Sequence, residues 1–167
     1  MPILPIESEQ LDSNAKNTIL RTRSQEITDF KNPEVLQLIQ DMHATLQQTK
    51  NGIGLAAPQV GKNLRIFVAS PQLRLKQTVF INPVITKISE KIEVLEEGCL
   101  SVPDIYGKIK RSPSLRLEAY NENGRKFKMK VEKLIAQLVQ HEIDHLDGIL
   151  FIDKVEELIE KPKETED

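Results

Sequence analysis

The segment Glu132–Gly148, EKLIAQLVQHEIDHLDG, constrains this chain more than any other stretch. Val131, Leu134, Ile135, Leu138 and Val139 recur at helical spacing, and Leu134, Leu138, His141 and His145 fall along one side of that helix. Histidines four residues apart project from the same face, so both imidazoles can bind one ion. Glu142 is rotated about a quarter-turn from the first of them and can reach a water there without taking a ligand position. This is the H-E-x-x-H arrangement, in which the carboxylate acts as general base and the ion activates water for hydrolysis. Taken alone, the motif also describes an ordinary solvated helix face. Against that, these histidines continue an apolar stripe, and a buried imidazole pair without a partner is costly. Gly148 fits just past the helix as a left-handed cap.

A chain of 167 residues predicts one domain, 1–167, with a core of useful size. Residues 1–19 read as an extended arm and 156–167 as an acidic C-terminal tail. Hydrophobic content of 39% beside 29% charged residues marks a soluble globular chain. A net charge of −2 argues against a protein that wraps nucleic acid, so no nucleic-acid binding of its own is expected. No apolar run approaches a membrane span, and Met1–Gln10 lacks a charged region followed by an apolar one. One cysteine excludes an internal disulfide framework and suits a reducing compartment. A cytoplasmic monomer is the expectation.

Asn32 as N-cap, Pro33 in the first helical position and Glu34 in the first turn predict a second, N-terminal helix to about Gln48. His43 lies beside its apolar stripe as a structural histidine without ligand company. Residues 51–63, NGIGLAAPQVGKN, form a turn-rich loop whose glycines match neither phosphate-binding pattern. They suggest a backbone that approaches something closely, with Gln59 beside it. Arg65–Ala69, Thr78–Asn82 and Ile92–Leu95 read as strands, and Leu115–Tyr120 with Lys126–Lys130 as a hairpin about NENG. Together these predict an α+β fold of mostly antiparallel strands.

Two histidines leave a hydrolytic site one protein ligand short. A metzincin would place a third histidine where Phe151 stands. A thermolysin-like site would draw on Glu156, Glu157 or Glu160. The remaining candidate is Cys99, in LEEGCLSVP just beyond a strand, although a lone intracellular cysteine is most often a buried free thiol.

Three segments taken together, GIGLAAPQVG (52–61), EGCLS (97–101) and QHEIDHLDG (140–148), resemble the peptide deformylase family in order and separation. The resemblance runs from about residue 20 to about residue 155. It implies antiparallel sheets around a central helix carrying HExxH, and removal of the formyl group from formyl-methionine on new polypeptides. It also implies one divalent metal on Cys99, His141 and His145: Fe2+ natively, with Zn2+, Ni2+ or Co2+ able to occupy the same site. Glu142 would be the general base, and Gln59 and the Leu100 amide would face the formyl oxygen. Gly54 would let the peptide backbone dock, and Ile53, Leu134 and Leu138 would hold the methionine side chain. Glu97 and Arg111 are placed as an ion pair bracing the Cys99 segment.

Two positions depart from the family pattern. Lys133 stands where a glycine is common, and Gln137 stands where many members are apolar, so Gln137 is expected to add polarity to the pocket. The acidic tail takes the place of a long C-terminal helix implicated in ribosome docking, so contact with the ribosome is expected to be transient.

Overall fold

Apolar runs that show no alternation mark the strands buried on both faces, and β2 (Ile66–Ala69, IFVA) is the clearest of them. Ile66 and Val68 pack with Val35, Leu38, Ile39, Met42 and Leu46 of α1 (Pro33–Gln47). Phe67 and Ala69, on the opposite face, pack with Ala136, Val139, Ile143 and Leu146 of α2 (Lys133–Leu146). The computed structural model describes residues 1–5 and 18–160.

β2 belongs to an antiparallel five-stranded sheet with β1 (Gly54–Ala56), β3 (Val79–Ile88), β6 (Ser114–Tyr120) and β7 (Lys126–Glu132), in the order β1-β2-β3-β6-β7. Away from α1 the sheet buries one face only. Leu115, Leu117, Ala119 and Val131 turn toward α2, while Lys126, Lys128 and Lys130 stay in solvent. A second antiparallel sheet has the order β4-β5-β8, from β4 (Glu93–Cys99), β5 (Val102–Arg111) and β8 (Val155–Ile159). Its own small core contains Val102, Ile109 and Phe151.

Polar contacts carry much of the join between this second sheet and α2. Gln140 exchanges two hydrogen bonds with the Ser112 backbone, at 3.0 and 2.9 Å, and Arg111 reaches Asp144 at 2.6 Å. The helix caps follow the sequence: Asn32 Oδ1 accepts from Glu34 N at 2.9 Å, and Gly148 adopts φ +74°. At Gly148 an added Cβ would also lie 2.6 Å from the Arg21 carbonyl oxygen.

Two expectations need correction. Residues 155–159, most of them assigned to an acidic tail, form strand β8 on β5, because Val155 and Ile159 are half-buried and an open edge of β5 would be left unpaired without them. Glu156 and Glu157 point outward to Lys110 and Lys108, at 2.7 and 3.0 Å. The second correction is β3, which runs on through Pro83 to Ile88. A register shift there is accommodated at Asn82 (φ +48°), whose side chain bonds the Ile27 backbone. Of the arm, residues 6–17 lie outside the described residues; Leu4 N donates to Gln59 O at 2.7 Å, and Ile19–Arg21 make a short 3-10 turn.

Candidate metal centre

α2 delivers His141, Glu142 and His145, and the end of β4 delivers Cys99. A register shift between Gly98 and Cys99 re-aims the strand at that point. Gly98 has no room for a side chain, since an added Cβ would sit 2.8 Å from the Tyr106 ring. The outcome is convergence: ligand atoms of Cys99, His141 and His145 all lie within 4.8 Å of one another, with Cys99 Sγ 3.2 Å from His145 Nε2. The two imidazole rings stand edge to face at 4.8 Å. Glu156, Glu157 and Glu160, the alternative ligands, are exposed and do not join this group.

A cavity of about 420 Å³ opens over these groups, lined by Ile53, Gly54, Gln59, Leu100, Leu134 and Leu138 among others. Leu138 is 4% exposed and belongs to the core as well, whereas Leu134 is 49% exposed and forms part of the rim. Gly54 lies directly against the general-base candidate, because an added Cβ would stand 2.5 Å from Glu142 Oε1 and 2.4 Å from Leu138 Cδ1. Gln59 is buried and its amide is oriented by the backbone. Ala56 N donates to Oε1 at 2.8 Å, which turns Nε2 toward Ser101 Oγ (3.2 Å) and Cys99 Sγ (3.6 Å).

The electrostatics of the cluster favour a cation. Burial alone would push the Cys99 thiol up, but His145 and His141 beside it bring it down to about 5, well into the thiolate range. Burial raises Glu142 to about 7, the two histidines opposing it only in part. Its Oε2 is buried with no hydrogen-bond partner, as is His145 Nδ1. One thiolate and two imidazoles on a common point, with an unpaired carboxylate oxygen nearby, fit a divalent ion that leaves a ligand position open.

Behind these side chains lies a network only partly visible in the sequence. Glu97 Oε1 accepts from His141 Nδ1 at 2.6 Å, which fixes the ring and leaves Nε2 for an ion. Arg111 donates to both Glu97 oxygens, at 2.7 and 3.1 Å, and to Asp144 at 2.6 Å. Burial opposes the Glu97 charge, yet bonds from His141 and Arg111 hold its carboxyl down at about 2. The Glu97–Arg111 pair was expected; its extension to His141 and Asp144 was not. The legible part of that signal was Asp144, which sits three residues beyond His141 on the helix. Gln137 lines the same cavity, and its Nε2 donates to Glu96 O and Glu97 Oε2, at 2.9 and 3.3 Å.

Comparison with known proteins points to one family. The polypeptide deformylase family profile matches residues 13–161. Peptide deformylase 2 of Clostridium acetobutylicum is 45% identical over 149 residues, which is 87% of this chain and 94% of that protein. Among solved structures, a class I type b peptide deformylase from Acinetobacter baumannii superposes with a TM-score of 0.79 at 31% identity, covering 93% of this chain and 98% of the other. The Thermotoga maritima peptide deformylase gives 0.76 at 37% identity, over 83% and 92%. With a matching profile across most of its length and relatives this similar, the chain belongs to the polypeptide deformylase family.

Proposed function

We propose that Cys99, His141 and His145 hold the metal of this deformylase and that Glu142 is its general base. The activity itself follows from family membership: removal of the N-formyl group from formyl-methionine at the start of nascent polypeptides, with release of formate. The observation that carries the assignment is the approach of three ligand atoms to within 4.8 Å beside a buried, unpaired Glu142 oxygen.

A divalent ion bound there supplies Lewis acidity and a nucleophile at neutral pH. Fe2+ is the proposed native ion, with Zn2+, Ni2+ or Co2+ as substitutes, since a Cys/His₂ set suits several of them. Glu142, raised to about 7, is suited to take a proton from the attacking water and return it to the leaving amine. The water oxygen forms a new bond to the formyl carbon, the C–N bond breaks, and formate leaves as the peptide amine gains the proton. Gln59 Nε2 and the Leu100 amide are assigned to the formyl oxygen, where each donor is worth about 3 kcal/mol of barrier. Ile53, Leu134 and Leu138 take the methionine side chain. The peptide backbone adds as a strand along the free edge at Gly54, which gives affinity without reading later residues. The enzyme works as a cytoplasmic monomer and meets the ribosome transiently.

Formate release from formyl-Met-Ala-Ser, paired with metal analysis of anaerobically purified protein, tests the reading. One divalent ion per chain with turnover is expected, both lost in Cys99→Ala. Turnover that survives in the metal-free variant rejects the ligand assignment.

A further inference from the structure

Gln137 precedes His141 by one turn of α2 and lines the cavity between Leu134 and Leu138. Both acceptors of its Nε2, Glu96 O and Glu97 Oε2, belong to β4, the strand that ends on Cys99. Among the described residues β4 is an edge strand, bonded only to β5, so its other side needs some partner to hold it against the helix. Apolar packing does not supply one, since Val94 is exposed and Leu95 only half-buried.

The same amide acts on Glu97. Arg111 holds that carboxylate from the buried side, where its own side chain is 3% exposed and pinned to Asp144. Gln137 holds it from the cavity side. A carboxylate gripped from one side only can pivot, and the His141 ring, 2.6 Å from Oε1, would pivot with it.

We propose that Gln137 is a positioning residue for the hydrolysis. Its amide ties the thiolate-bearing strand to the imidazole-bearing helix and locks Glu97 against His141, while its methylene stem completes the pocket wall. The proposal rests on the assignment of Cys99, His141 and His145 as metal ligands.

Gln137→Met tests it on the full chain, because methionine is unbranched, similar in length and a good helix former. With formyl-Met-Ala-Ser, kcat falls about three- to tenfold while KM stays within about twofold. That loss is smaller than removal of a direct partner of a metal ligand would cause. Release of Zn2+ to a chelator quickens by a similar factor. Gln137→Glu, which keeps the size, loses the donor and sets a second carboxylate against Glu97, lowers kcat further and quickens Zn2+ release further. A raised KM with unchanged kcat makes Gln137 a pocket-lining residue only and overturns the proposal. Unchanged Zn2+ release in both variants, whatever their activity, overturns it as well. Absence of turnover in the unmodified enzyme would instead reject the deformylase site assignment, and the Zn2+ release rates would still decide the role of Gln137.

Discussion

Glu142 is held in a contradictory environment: buried against Gly54, unpaired at Oε2, and raised to about 7. Glu142→Gln keeps the shape and removes the proposed proton carrier. Hydrolysis of formyl-Met peptides is expected to fall about 10²- to 10⁴-fold with metal content unchanged, measured on the same preparation. Gly54→Ala acts on the same carboxylate by contact. Its Cβ would meet Glu142 Oε1 at 2.5 Å and Leu138 Cδ1 at 2.4 Å, so one of them must move. A displacement on the order of 1 Å costs about 10²-fold in rate. Turnover within a few-fold of the parent enzyme would show that the loop and helix can slide apart freely.

At the scale of elements, α2 begins under strain. Lys133 adopts φ +54°, a left-handed conformation that an L side chain enters at a cost of about 1 kcal/mol. The chain turns sharply there because Lys133 N must reach Pro113 O, at 2.8 Å, as it leaves β7 for the helix. Lys133→Gly relieves that cost, and a rise in melting temperature of about 2–4 °C is expected. An unchanged or lower value would mean that the conformational freedom glycine gains in the unfolded chain outweighs the relief. The elements were unevenly legible. α1, with its Asn32 cap, and the β6–β7 hairpin have local signals. β5 and β8 do not, since β8 exists as a strand through its pairing with β5.

Across the whole molecule, metal and fold are coupled through charge. A carboxyl raised from 4.5 to about 7 favours the folded state below its ordinary range and loses that advantage as pH rises through about 7. In chelator-treated protein, Glu142→Gln should therefore match the parent near pH 5 and become more stable as pH rises to 8, by up to about 3 kcal/mol. A divalent ion should narrow that gap, because it stabilises the carboxylate in the parent. Melting curves at several pH values with and without Zn2+ check the sign. Glu97 runs the opposite way. Held at about 2, its contribution is complete above the ordinary carboxylate range and fades as pH falls from about 4.5 toward 2.

What the sequence determined by itself is local: helical periodicity, caps, turn residues, and a His–Glu–His spacing that puts three side chains on one helix whatever surrounds it. The three segments that resemble the deformylase family also name Cys99, Gln59 and Gly54 without coordinates. Only the tertiary structure decided how β4 meets α2: Cys99 brought to 3.2 Å from His145, Glu97 bridging His141 and Arg111, and Gln137 bonded to the strand from the pocket wall. The reason is physical. Spacing along a helix follows from its own backbone bonds, whereas contacts between residues 14 to 46 positions apart depend on how two separately formed surfaces pack, and no local pattern encodes that.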